Sequence, residues 1–382
     1  MMRSVLRNRG SLRREYLEKE QIMRPGNEAE LAEMVAGAVG PLLVRGGGTR
    51  TLGSAEGAVL ETGGLSGVVL YEPAALTLVV RAGTPLAEVE AVLAAERQRL
   101  AFEPPDLHAL LGRTGVSTIG GVVAANASGP RRVQVGACRD ALLGVRFVDG
   151  LGRVVKNGGR VMKNVTGYDL VKLMAGSRGV LGVLTEVSFK LQAIPEAEAT
   201  LVIEGLGEDE GLAALRAALG SPFDISGAAR HSGRSLVRVE GMAGSVAYRL
   251  ERLRALLPGD ATVVDADESA RLWREVRDVA PLVASEGDIW RLSTLPTAAA
   301  AVVARTEGEA LWDWAGGLIW LCAPPGQGAD IAAAVAGRGH ATLIRGDGGP
   351  VFPPEAAEVA GLAAGLRAKF DPRGILNRGM MG

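Results

Sequence analysis

The chain has 382 residues, more than one ordinary core needs, so two domains are the starting expectation. Hydrophobic residues make up 47% and charged residues 22%, with a formal net charge of −1; that balance offers no electrostatic case for nucleic acid or an anionic membrane as main partner. No apolar run reaches the length that crosses a bilayer.

Residues 1–21 read as a basic arm (Arg3, Arg7, Arg9, Arg13, Arg14), and Glu15, Glu18 and Glu20 follow where the apolar core of a secretion signal would have to lie. The expectation is therefore a cytoplasmic chain, with peripheral attachment at the inner face of the membrane through partners left open. Asn27 and Glu30 form a capping signature ahead of a helix that ends near Gly40. A short buried strand over 41–44 runs into a glycine loop at 45–48. A strand over 76–81 leads to Thr84 and Pro85, read as an N-cap and a first-turn proline of a helix through about Glu96. Strands over 141–148 and 153–156 flank a turn at Asp149–Gly150, and a short helix over 168–175 is stopped by Gly176. Residues 183–191 alternate, with Val183, Thr185, Val187, Phe189 and Leu191 on one face and Glu186, Ser188 and Lys190 on the other.

A boundary is expected at 195–198. Beyond it, Ala-rich helices (211–219, 245–257, 268–279) alternate with strands (235–239, 317–321, 341–344), and no internal repeat is evident. The fold class is α+β. The expected divisions are the arm over 1–21, a first domain over 22–195, a second α+β domain over 196–350 and a C-terminal segment over 351–382.

Redox chemistry here requires an organic cofactor. Cys138 and Cys322 are far apart, belong to no Cys-x-x-Cys pair and cannot supply the ligands of an iron–sulfur cluster; His108, His231 and His340 show no metal-binding spacing. Three glycine-marked segments are the candidates to hold such a cofactor. In the first, Arg45-Gly46-Gly47-Gly48-Thr49-Arg50, successive backbone N–H groups can converge on an anion. It has no Gly-Lys-Ser/Thr, and Thr51 stands where the dinucleotide fingerprint has its third glycine. In the second, Thr118 to Gly129, small residues let a planar or phosphate-bearing ligand lie against the backbone. The third, Gly176 to Thr185, is a glycine-spaced loop running into a strand. Each alone also reads as a plain turn.

Together, in this order, the segments resemble the PCMH-type FAD-binding domain of the vanillyl-alcohol-oxidase superfamily over roughly residues 22–195. The resemblance implies FAD, with Arg45, Gly46, Gly47, Gly48, Thr49 and Arg50 at the pyrophosphate. It places Thr118, Gly120, Gly121, Ala124, Ser128 and Gly129 along the central cofactor, and Gly182 and Val183 near the adenine or ring. The ending Phe370-Asp371-Pro372-Arg373-Gly374-Ile375-Leu376-Asn377 is similar to a family tail that folds back on the flavin domain, which makes Asn377 a further cofactor candidate. Members that attach FAD covalently use a histidine in the first loop or a cysteine in the second segment. Neither is present here, so the expectation is non-covalent FAD.

The second-domain segments 289–293, 313–321 and 339–343 are similar to FAD-binding subunits of bacterial glycolate oxidases. This implies oxidation of a small 2-hydroxy acid in a complex with a second flavin-binding subunit, of D-2-hydroxy-acid dehydrogenase type, and an iron–sulfur subunit; a self-sufficient FAD-dependent alcohol or 2-hydroxy-acid dehydrogenase, and an electron-relay or scaffold subunit without a substrate site of its own, stay open as alternatives. The His-rich metal segment of stand-alone D-2-hydroxy-acid enzymes has no match. No catalytic base is identifiable. Arg291 reads as a structural arginine that satisfies carbonyls ahead of a carboxylate partner, His340 as a surface or packing residue, and the tryptophans as core.

Overall fold

The computed structural model describes residues 22–53, 55–160 and 167–381. The arm expected over 1–21 lies outside them. In the first half of the chain the strands are β1 (Leu42–Arg45), β2 (Ala58–Glu61), β3 (Val68–Glu72), β4 (Thr77–Arg81) and β5 (Gln98–Arg99). They continue with β6 (Leu142–Val148), β7 (Val154–Gly158), β8 (Val183–Lys190) and β9 (Gln192–Ala193). β1 and β2 pair in parallel, β5 pairs with β9, and the other five form an antiparallel sheet in the order β3-β4-β8-β6-β7.

Local chemistry explains these elements. The helix Glu28–Gly37 starts where Asn27 accepts from Glu30 N at 3.0 Å, while the Glu30 carboxylate accepts from Gly26 N at 2.7 Å. Asp149 closes the β6–β7 turn by accepting from Leu151 N and Arg153 N. The helix Leu86–Ala95 has no side-chain cap. Thr84, expected to be that cap, instead donates to Arg81 O at 2.7 Å and accepts from Gly67 N at 2.9 Å, which ties down the turn after β4. The alternation of residues 183–191 suggested a strand with one wet face. β8 is central and covered on both sides, so Leu184 and Ser188 are buried as well.

The second half supplies β10 (Ala197–Glu204), β11 (Ile225–His231), β12 (Arg234–Gly241) and β13 (Asp260–Val264). β14 (Asp288–Thr294), β15 (Glu309–Asp313), β16 (Leu318–Ala323) and β17 (Gly339–Arg345) follow. All eight form one antiparallel sheet ordered β13-β10-β12-β11-β15-β16-β14-β17. Each half of that sheet is a β-α-β-β-α-β unit, and the two orders mirror each other about the β11–β15 junction. The structure therefore contains an internal repeat that the sequence does not display. Strand alternation sorts the side chains. Val237, Val239, Trp290, Leu292, Ile319 and Leu343 face a core built with the helices Glu208–Leu219, Ala243–Leu256 and Gly328–Val335.

The opposite face docks on the flavin-type domain through buried ion pairs. Arg238 donates to both oxygens of Glu103, at 2.9 and 2.8 Å, and Arg131 forks onto Glu240 at 2.8 and 3.0 Å. Arg99 adds a bond to Glu240 at 2.6 Å, so each buried charge at this contact is matched.

The tail returns as the resemblance implied. After the helix Ala357–Phe370, Asp371 accepts from Leu376 N, and Arg373 donates to Val35 O and Ala36 O, carbonyls at the end of helix Glu28–Gly37. Ile375 and Leu376 then join Leu31, Val35, Leu42, Leu60, Val148 and Val183 in one buried cluster.

Candidate functional site

The glycine loop after β1 forms one wall of a cleft, pressed against residues 115–118. A Cβ on Gly46 would come within 2.2 Å of Thr118 Oγ1, and one on Gly47 within 1.6 Å of Val116 O. These glycines let two backbones touch, and only Gly48, at φ +72°, faces open space in a left-handed conformation. His108 pins the same stretch, with Nδ1 against Asp106 and Nε2 on Gly115 O at 2.6 Å. Its hydrogen bond to Asp106 raises its pKa.

Arg45, Gly46, Gly47, Gly48, Thr49 and Arg50 all line the cleft, with Thr118, Gly120, Gly121, Ala124, Gly182, Val183 and Asn377. Thr118 accepts from Gly121 N at 3.3 Å, and a Cβ at Gly120 or Gly182 would strike Ala82 or Phe147. The Arg45 side chain is occupied by Glu61, so that residue offers its backbone. Arg50 differs. Among the described residues only its Nη2 has a partner, Ser117 Oγ at 3.1 Å, while Nε and Nη1 are buried without one, and burial depresses its pKa against the pull of Asp106. A guanidinium with two unpartnered nitrogens beside the backbone N–H groups of a glycine loop suits a pyrophosphate. Asn377, 2% exposed, accepts from Val44 N at 2.7 Å and donates to Arg178 O at 2.8 Å and Val44 O at 3.3 Å. Its polar atoms bind the cleft's own walls together.

Two expected residues lie elsewhere. Ser128 accepts from Cys138 N and faces a second cavity, and Gly129 faces neither space. Gly129 packs on Glu103, and its carbonyl accepts from the Trp314 indole at 3.1 Å.

That second cavity, about 270 Å³, lies between the domains and shares Arg50, Ala125 and Arg178 with the cleft. Alternation builds its far wall: Arg291 and Ser293 on β14, Trp320 on β16, and His340, Thr342 and Ile344 on β17 all project from the docking face of the sheet. Arg132 completes the set. Its guanidinium lies 4.6 Å from the ring centre of Trp314, Arg291 lies 5.6 Å from the same ring, and Arg178 lies 5.1 Å from Phe352. Burial pushes Arg178 and Arg291 down to about 10, for Arg291 with help from Arg132 and Arg178. His340 is lowered by burial and by Arg291, while buried Asp313 is pushed up to about 7.

Sequence reasoning missed Arg132 and Arg178 and favoured a carbonyl-binding role for Arg291, which has no carbonyl partner among the described residues. The signal was present in the alternation of Trp290 and Leu292 with Arg291 and Ser293, two polar residues on the face opposite the apolar ones.

Comparison with known proteins agrees with this geometry. The family described as FAD binding domain matches residues 20–158. The chain is 36% identical to "Glycolate oxidase subunit GlcE" of Escherichia coli over 345 residues, which is 89% of this chain and 92% of that protein. It is 34% identical to "Glycolate oxidase subunit GlcD" of Bacillus subtilis over 166 residues, 42% of this chain and 34% of that protein. Among solved structures, an alkyldihydroxyacetonephosphate synthase superposes at TM-score 0.66, covering 94% of this chain and 76% of its own; at 14% identity this speaks to the fold alone. The cleft and these matches together make the chain an FAD-binding oxidoreductase with the two-domain PCMH-type fold, and it belongs to the family of the glycolate oxidase subunit GlcE.

Proposed function

We propose that the chain is the FAD-binding subunit of a complex that oxidises glycolate, or a related 2-hydroxy acid such as D-lactate, to the 2-oxo acid. The match along 92% of GlcE carries the reading. FAD, when bound, supplies the acceptor for a hydride. Residues of this chain hold it: Gly46 to Gly48 and Arg50 at the pyrophosphate, with Thr118, Gly120, Gly121 and Ala124 against its middle and Gly182 and Val183 beyond. FAD is held without a covalent bond.

Electrons pass to a partner. Cys138 and Cys322 lie in separate buried clusters, too dispersed to hold an iron–sulfur centre between them, so that centre belongs to a second protein. A second flavin-binding subunit of D-2-hydroxy-acid dehydrogenase type completes the assembly. No helix among the described residues is long and apolar enough to cross a membrane. The complex works in the cytoplasm, where any contact with the inner membrane face is made through partners.

Dye reduction with glycolate and with D-lactate tests the proposal, first on the FAD-loaded chain and then on the chain with its co-purified partners. Activity is expected only in the second case. Turnover by the lone chain on the order of ~10 s⁻¹, an ordinary enzyme rate, overturns the subunit reading.

A further inference from the structure

The helix Ala357–Phe370 runs for 14 residues, and among the described residues nothing buries any of them. Its half-buried members, Ala363, Arg367 and Phe370, share the side toward the flavin domain, where Arg367 donates to Met381 O and the Phe370 ring lies 6.0 Å from that of Phe147. The opposite side carries Glu358, Leu362, Gly365 and Lys369, a spacing that draws one line along a helix. Val359 and Leu366 flank that line on one hand, Gly361 and Ala368 on the other. A helix face meant for water is polar, yet Leu362 is 74% exposed here and Val359 is half exposed.

Gly361 and Gly365 weaken the helix and serve no packing within the chain. No described atom lies within 4 Å of where a Cβ would stand at either. At Gly46 and Gly47, by contrast, the missing side chain lets two backbones of this chain touch. Bare backbone on the outer face of a helix offers the same close approach to a helix from outside.

The seam specifies which helix. Laid antiparallel on a second copy, about a two-fold axis between residues 363 and 364, Leu362 falls on the twin's Gly365 and Glu358 on the twin's Lys369, and each contact occurs twice. Val359 then flanks the twin's Leu366. Each large residue of the seam meets a gap and each charge its opposite, whereas a parallel pairing sets like against like. Glu358 and Lys369 have no ion-pair partner among the described residues, so both are available for this. A lipid surface fits less well, because one acid and one base do not make the cationic face that lies down on a membrane.

We propose that the outer face of helix Ala357–Phe370 is a homodimer contact, in which two copies of this chain pack the helix antiparallel on itself through Leu362 and Gly365. The inference does not rest on the proposed activity. Four helical turns bury less than the roughly 1,600 Å² of a standard interface, so the dimer is expected to dissociate in the micromolar range.

Sedimentation velocity on the FAD-loaded full chain, across the micromolar range, tests this, with flavin absorbance reporting a folded cleft in each variant. A reversible monomer–dimer equilibrium is expected. Leu362→Glu should raise the Kd about 100-fold or more, since a large apolar side chain leaves the seam twice per dimer. Glu358→Lys and Lys369→Glu should each weaken the dimer about three- to tenfold, and the double variant should restore it. Both charge changes oppose the helix dipole, so an effect on helix stability alone would add in the double variant rather than cancel. Tyr248→Ala, at an exposed aromatic on another helix, should change nothing.

A chain that stays monomeric throughout, a dimer that survives Leu362→Glu, or charge changes that add instead of cancelling would each overturn the proposal. So would an assembled complex from which Leu362→Glu strips a different subunit, or flotation with anionic vesicles that the same change abolishes, because the helix would then belong to that partner or to a lipid surface.

Discussion

Asn377 has a backbone φ of +44° and a side chain with every polar atom engaged, which is why an asparagine suits the place. Replacing it with alanine strands Val44 N–H and the Arg178 carbonyl in a part-buried setting and leaves a left-handed residue without its side-chain bonds. Each stranded group costs about 1–3 kcal/mol, so Asn377→Ala should lower unfolding free energy by about 2–4 kcal/mol in a urea titration and weaken FAD retention. A loss below about 0.5 kcal/mol would show that the tail does not brace the cleft. Gly47 teaches a related lesson. Its conformational role is legible in the sequence, but the reason is not. A side chain there collides with the Val116 carbonyl before it reaches any ligand, so Gly47→Val perturbs the packing of two loops as well as cofactor binding.

Elements with strong local punctuation were legible: the Asn27-capped helix, the β6–β7 hairpin around Asp149, and β8. β11 was not, because its middle, Ser226 to Ala229, is made of small residues and the strand is buried on nearly every position, leaving no alternation to read. β10 starts at Ala197, inside the stretch that looked like a boundary. The helix Ala357–Phe370 was hidden by Gly361 and Gly365, and no residue of it is buried, so it lacks an amphipathic stripe. In the candidate site the glycine segments were visible by composition, whereas the arginine cavity arises from strands that meet only in three dimensions. The same segments bear on cofactor attachment. Among the described residues no histidine or cysteine lines the cleft, and Cys138 is buried behind Ser128 with its thiol pKa raised by burial. Acid precipitation should therefore release the yellow chromophore into the supernatant; flavin fluorescence that stays on the protein band in a denaturing gel would contradict non-covalent binding.

At the scale of the whole molecule, the domains are fastened by charge on one side of the interface and separated by a charged hollow on the other. Both features lie on one sheet face but in different repeats: Arg238 and Glu240 on β12, Arg291 and His340 on β14 and β17. The sequence shows no repeat because matching strands were specialised for these two tasks. The join between the repeats is thin. β11 and β15 share a single paired position, Arg230 with Trp312, whereas β14 and β16 are paired at six, from Asp288 with Ala323 to Ser293 with Leu318. Backbone amides along that join should exchange with deuterium faster than those between β14 and β16, and equal protection would refute the idea. The sheet is thus a folding screen with its crease between two panels, each fastened to the flavin domain in its own way: one by the ion pairs of β12, the other by Trp314 on the Gly129 carbonyl and Arg345 on the Leu110 carbonyl, so the hollow is spanned by two unlike sets of bolts.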